Sequence, residues 1–167
     1  NVADGIYSEQ VGVQFVLTEA TELSDNGTLT STNATNLIIA FRNTGFDNPG
    51  VSHLFTNKNL DGTTVGIAYV GSLCRNSSVG VTQKLGSKTA SIFAHELGHN
   101  FGAPHDNESG SACSSTPSGF VMNPNVNSGG TTFSSCSIER MQPTIANASC
   151  IADITPAPTQ IEIVSVP

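Results

Sequence analysis

The chain has no tryptophan, only two tyrosines, and only six Lys or Arg among 167 residues. Against thirteen acidic residues this leaves a formal net charge of -7, and the basic residues form no cluster. A nucleic-acid surface needs a positive stripe to displace counterions, so nucleic acid is excluded as a partner. Long apolar runs are missing too. The longest, around Leu37 to Phe41, is far short of the roughly 20 residues that cross a bilayer, so no membrane contact by this segment is expected. Charged residues make up 11% and hydrophobic residues 37%, both low for a soluble domain. That balance argues against a disordered polyelectrolyte and against a coiled coil. The gap is filled by 20 serines, 18 threonines and 15 asparagines. The length suits one domain with one core, and a monomer is expected.

A CxxC pair is also absent, which sets aside a zinc ribbon or a thioredoxin-type redox site. The four cysteines, Cys74, Cys113, Cys136 and Cys150, suit two disulfides with three possible pairings. Asn-x-Ser/Thr sequons start at Asn26, Asn33, Asn76, Asn107 and Asn147, each a candidate glycosylation site. One sequon means little in so Asn- and Ser-rich a chain. Five of them, with few lysines and an even cysteine count, favour a secreted protein or the extracellular side of a membrane-anchored one. No signal peptide is visible at Asn1, so part of a longer precursor is expected.

Asp4 to Gln10 reads as the end of a helix, and the alternating, β-branched Val11 to Leu17 as a strand. Thr18 to Thr35 is polar and reads as a surface loop. A short helix over Asn36 to Arg42 is stopped by the Gly- and Pro-bearing Asn43 to Gly50. Three more strands are predicted at Val51 to Thr56, Val65 to Val70 and Val79 to Gln83, separated by Asp-Gly and Asn-Ser turns. Thr89 to Phe101 is the clearest helix, capped by Thr89 or Ser87 and ended by Gly102. Ala103 to Thr132 reads as irregular. A helix from Ser137 to about Ala148 carries Pro143, which works against it. Residues 153–167 hold three prolines and little apolar content and read as a linker, leaving 1–152 as the domain.

Three of the four histidines fall within His95-Glu96-Leu97-Gly98-His99-Asn100-Phe101-Gly102-Ala103-Pro104-His105. Four residues apart on a helix, His95 and His99 project from one face with a metal-sized gap between them. Glu96, beside the first, can reach a water held there. Gly102 permits a sharp turn, since glycine takes positive φ without penalty, and that turn brings His105 back to the same point. Three imidazoles leave a tetrahedral position open, which is the arrangement of a catalytic rather than a structural zinc. Two histidines at i, i+4 are often no more than surface residues. Three histidines, a glutamate and a glycine at fixed offsets are much harder to obtain by chance.

This segment matches HExxHxxGxxH, and with Asp106 after the third histidine the chain resembles the adamalysin (reprolysin, ADAM-like) metzincins. The resemblance extends over Phe120-Val121-Met122-Asn123-Pro124, His53 to Thr56, Asp61-Gly62, Val65 to Cys74, Ser78 to Val81 and Phe133 to Ser137, roughly residues 1 to 150. It implies a zincin-like α/β fold with a mixed, mostly parallel sheet and an antiparallel edge strand. An active-site helix bearing HExxH and an irregular C-terminal subdomain, with a Met-turn and a C-terminal helix, complete that fold. It further implies a zinc endopeptidase acting on protein or peptide substrates, with zinc on His95, His99 and His105, Glu96 as general base and Met122 in the Met-turn. Val65, Gly66, Ile67 and Ala68 would pair with an extended substrate. Val121, Asn123 and Pro124 would form the opposite wall. The implied disulfides are Cys74 with Cys150 and Cys113 with Cys136, and Asp106 would hold its turn. The family's domain usually starts one strand and most of a helix earlier, so the N-terminal part is expected to be incomplete. Pro104 is unusual before the third histidine but compatible with a turn. Asp153 stands where the family has Asn, and an N-terminal acidic partner is not visible, so the resemblance does not carry a structural calcium site. A rival reading is an ADAM-like adhesion or binding module that keeps zinc without catalysis, but Glu96 and all three histidines are retained. A purely structural zinc would need a fourth protein ligand. Only His53 offers one, and it reads as structural.

Overall fold

The computed structural model describes residues 2–46, 50–127 and 130–152. The elements are α1 (Val2–Val11), α2 (Ala34–Asn43), β1 (Ser52–Thr56), β2 (Gly66–Ala68), β3 (Val79–Gln83), α3 (Thr89–Asn100) and α4 (Ser135–Ala146). A 3-10 turn, Gly86–Lys88, leads into α3. The sheet has three strands in the order β1-β3-β2. β1 runs parallel to β3, with Leu54 opposite Val81, and β2 runs antiparallel to it, with Ile67 opposite Val81. The sheet is therefore mixed with an antiparallel edge strand, as expected, but with one pairing of each kind among the described residues it is not mostly parallel.

Central β3 (VGVTQ) is buried along its whole length, as a strand covered on both faces must be. Its side chains alternate. Val79 and Val81 enter a cluster with Leu37, Ile38 and Phe41 of α2 and with Leu60, while Thr82 turns the other way toward His53. Leu37 and Ile38 are almost fully buried, each contributing about 1.5–3 kcal/mol relative to exposure. Asn33 caps α2 by accepting from the Asn36 amide at 3.0 Å.

A second cluster joins α1, α3 and α4 through Ala3, Ile6, Tyr7, Leu97, Phe101, Met122 and Met141. Tyr7 is its pivot. Its ring meets Phe15, Phe101 and Phe133 at 5.0 to 5.1 Å, and its hydroxyl donates to the Ala94 carbonyl at 2.9 Å. The rear of α3 is thus fastened to α1.

Three sequence expectations need correction. Val11 to Leu17 is not a strand: α1 runs to Val11 and the chain beyond is irregular. Val13 and Phe15 do turn inward, so the alternation is real, but no strand lies alongside among the described residues. The Phe15 amide donates instead to Asp4 Oδ1 at 2.8 Å. Neither Thr89 nor Ser87 caps α3, because Lys88 occupies that position without a side-chain bond. Thr89 Oγ1 instead accepts from the Leu85 amide at 2.8 Å. Lastly, α4 begins at Ser135, capped by Ser134, and continues through Pro143. The proposed linker, residues 153–167, lies outside the described residues, as does Asp153 of the calcium argument.

Disulfides join Cys74 to Cys150 and Cys113 to Cys136. The second spans 23 positions and on chain-entropy grounds contributes about 3 kcal/mol, holding the irregular 103–132 segment against α4.

Candidate metal centre

Helix α3 puts His95 and His99 one turn apart on one face, their rings 4.8 Å between centroids. The helix ends at Asn100 with Phe101 as its C-cap, and Gly102 turns the chain with φ +105°. A side chain there would also meet Thr144 Oγ1 at 2.7 Å, so glycine is required on two counts. Beyond the turn Asp106 is fully buried. Its Oδ1 accepts from Ser134 Oγ at 2.8 Å and Ser137 Oγ at 3.1 Å, at the N-terminus of α4, where the helix dipole favours a carboxylate. Its amide donates to the Met122 carbonyl at 2.8 Å. These bonds fix the backbone that carries His105.

The three rings converge through Nε2. His105 Nε2 lies 3.1 Å from His99 Nε2 and 3.2 Å from His95 Nε2. Each Nδ1 has an acceptor of its own: the Val121 carbonyl for His95, the Ala103 carbonyl for His99 and Glu108 Oε2 for His105, all at 2.8 Å. Oxygens of this kind accept only, so each ring carries its proton on Nδ1. Three bare Nε2 lone pairs then point at one another, an arrangement that repels unless a cation sits among them. Two nitrogens about 2.0–2.1 Å from one tetrahedral zinc would lie about 3.4 Å apart. Among the described residues no further His, Cys, Asp or Glu joins the group. His95, His99 and His105 therefore fit a catalytic zinc. Burial holds the first two neutral, His95 down to about 4 and His99 to about 3, as metal binding requires.

Glu96 is buried, and desolvation pushes its carboxyl up to about 8. Its head group rests on Gly66 of the edge strand, where an added Cβ would fall 2.7 Å from Glu96 Cδ. Its Oε2 is buried without a partner. Met122 is fully buried, and a Cβ on Gly98 would fall on its sulfur, so the thioether lies directly under the helix turn between the two ligands.

The remaining expected residues are dispersed around this centre. Gly66, Ile67 and Ala68 form β2, whose outer edge has no strand beside it among the described residues. The Val65 carbonyl accepts from Gln83 at 2.8 Å. Val121 faces inward, with its carbonyl on His95 and its amide bonded to Thr132. Asn123 is buried and Pro124 exposed. All five sequon asparagines are exposed. His53 stands apart, bonded to Thr82 Oγ1 at 2.9 Å.

Sequence reasoning missed Tyr7, Asn100 and Glu108. Buried Asn100 donates to the Tyr69 and Val79 carbonyls and to Ser72 Oγ at 3.0 to 3.1 Å, tying the end of α3 to the sheet. Its place inside the histidine motif was the available signal. For Glu108 there was only the i, i+3 spacing from His105.

The family model for Metallo-peptidase family M12 (Reprolysin_5) matches residues 1–134. The chain is 43% identical over 79 residues to a zinc metalloproteinase/disintegrin of Bitis gabonica, covering 45% of this chain and 23% of that protein. It is 45% identical over 94 residues to the hemorrhagic metalloproteinase-disintegrin-like kaouthiagin of Naja kaouthia, covering 54% and 23%. With the human disintegrin and metalloproteinase domain-containing protein 9 it shares 40% over 99 residues, covering 56% and 12%. In these alignments the chain spans less than a quarter of each relative's length. With a family match over most of its length and a histidine centre that fits zinc, the chain belongs to metallo-peptidase family M12, the reprolysin-type metallopeptidases.

Proposed function

We propose that this domain is a zinc-dependent endopeptidase acting on extended segments of proteins. The observation that carries the reading is the trio of Nε2 atoms at 3.1 and 3.2 Å, every Nδ1 engaged, beside the buried carboxyl group of Glu96. When bound, zinc supplies Lewis-acid polarisation of a carbonyl and lowers the pKa of a water toward about 7. His95, His99 and His105 hold it, and Met122 packs beneath them in the role of a Met-turn.

With zinc's charge beside it to favour the ionised form against desolvation, Glu96 would take the proton from the attacking water and later deliver it to the leaving amine. Its place against Gly66 supports this, because a substrate on the β2 edge would lie beside the carboxylate. The open edge of Gly66–Ala68, extended to Val65, offers main-chain groups to a peptide in β-conformation. Asn123 and Pro124 flank the facing side, while Val121 contributes through its carbonyl on His95. Two disulfides and five exposed sequons support an extracellular setting with Asn26, Asn33, Asn76, Asn107 and Asn147 as glycan acceptors. Among the described residues no helix is long and apolar enough to cross a membrane.

The test is zinc content together with cleavage of a mixed peptide library, with and without chelator, for wild type and Glu96→Ala. We expect about one zinc per chain in both and cleavage only in wild type, with activity of the variant down on the order of 10³-fold or more. Variant activity within tenfold of wild type would reject Glu96 as the base. Zinc without cleavage in wild type would favour a binding module that retains the metal.

A further inference from the structure

The three metal-facing rings are not held alike. His95 and His99 sit on α3, are buried, and give their Nδ1 protons to main-chain carbonyls. His105 is on a loop with its side chain 29% exposed, and its Nδ1 bonds a carboxylate, Glu108 Oε2, at 2.8 Å. Without that contact, the described structure offers the ring no partner on its Nδ1 side.

The loop is built to deliver Glu108 there. Asp106 points into the core, as described above, and Asn107 then takes φ +54°, a left-handed conformation that asparagine tolerates better than most residues. That reversal returns Glu108 to the histidine three positions earlier. The turn is pinned on both sides: the Asn107 amide donates to the Cys113 carbonyl at 3.1 Å and the Ser111 amide to the Glu108 carbonyl at 3.0 Å. Ser111 Oγ donates to the His105 carbonyl, and Cys113 is anchored to α4 by its disulfide.

We infer that Glu108 is a positioning residue for the metal centre, fixing the tautomer and rotation of His105 and strengthening it as a donor through its negative charge. Carboxylate partners of ligand histidines act in this way, and their loss typically costs 10–100-fold in metal affinity. The inference rests on the zinc reading above. A half-exposed hydrogen bond of this kind adds little to fold stability, so its effect belongs on the metal and not on the apoprotein.

The experiment is zinc affinity by chelator competition on wild type, Glu108→Gln and Glu108→Ala, with melting of each apoprotein and the absorption spectrum of each cobalt(II) form. We expect Glu108→Ala to weaken zinc 10–100-fold and to alter the cobalt spectrum, with apo melting unchanged. Glu108→Gln, which keeps an acceptor oxygen and drops the charge, should fall between. Affinity of Glu108→Ala within twofold of wild type would overturn the inference while leaving the zinc reading intact. Loss of affinity only in step with loss of apo stability would overturn it as well, making Glu108 merely structural. Wild type that binds no zinc would remove the inference together with the reading beneath it.

Discussion

His53 on the sheet and His99 at the end of α3 are both imidazoles withdrawn from water, and they differ in what becomes of their second nitrogen. His53 bonds Thr82 Oγ1 through Nε2, and its Nδ1 is buried with no partner. Its ring packs against Phe55 and Phe93, at 5.1 and 4.7 Å, and those two rings also touch each other at 5.1 Å. His99 engages Nδ1 with the Ala103 carbonyl and aims Nε2 at His105. Burial of an imidazole therefore does not make a ligand. Convergence of unprotonated nitrogens does, and the backbone carbonyls that take the Nδ1 protons decide which nitrogens are unprotonated.

The largest test of that contrast exchanges one histidine in each place. His99→Gln leaves two imidazoles, and zinc affinity should fall on the order of 10³-fold, a third of the free energy typical of a structural zinc site. His53→Gln should leave affinity within about threefold of wild type by the same chelator competition. Equal losses would make His53 part of the centre and erase the distinction between the two regions.

Acid probes the sheet site separately. Burial pushes His53 down to about 3 in the folded protein, against about 6.5 in an unfolded chain. Between those values the unfolded state binds a proton that the folded state refuses, so stability is full above about pH 6.5 and declines as pH falls toward 3. His95 and His99 tilt the metal-free protein the same way, so the informative quantity is the difference between wild type and His53→Gln. In chelator, wild type should lose about 2 kcal/mol more than the variant between pH 7 and pH 4.5. Parallel denaturation midpoints across that range would show that the His53 ring is protonated without penalty.

Both sites show why some of this was legible in the sequence and some was not. The meeting of His95 and His99 follows from helix geometry alone, and the return of His105 from a glycine at a required turn. The central strand Val79 to Gln83 and the helix around Leu37 to Phe41 are carried by local pattern. The partners of the ring nitrogens are not, because Val121 and Ala103 contribute main-chain oxygens that no side-chain motif encodes. Val11 to Leu17 failed for a related reason. Its alternation recorded which residues are buried, but a strand also needs a neighbour to take its backbone bonds, and Asp4 took one of them instead.

The finest comparison uses two glycines that each leave room for one of these sites. A Cβ on Gly80 would lie 2.6 Å from two atoms of the His53 ring, while a Cβ on Gly98 would fall on the Met122 sulfur. An alanine gains something in either place, roughly 0.5–1 kcal/mol from a less mobile unfolded chain, or about 1 kcal/mol of helix propensity in α3. Against this stands overpacking, which costs about 1–3 kcal/mol when neighbours must shift. The His53 ring is rigid, packed against two phenylalanines and tied to Thr82 Oγ1, so Gly80→Ala should remain destabilising by about 1–2 kcal/mol with zinc affinity untouched. Met122 can bend around three rotatable bonds, so Gly98→Ala should stay within about 1 kcal/mol of wild type in stability. Its displaced sulfur, however, sits beneath His95 and His99, and zinc should bind more weakly in proportion to the ligand shift. Urea denaturation of the apoproteins beside chelator competition separates the two outcomes. If Gly98→Ala binds zinc as wild type does, Met122 fills space under the helix without supporting the ligands, and the difference between the two sites reduces to the histidines themselves.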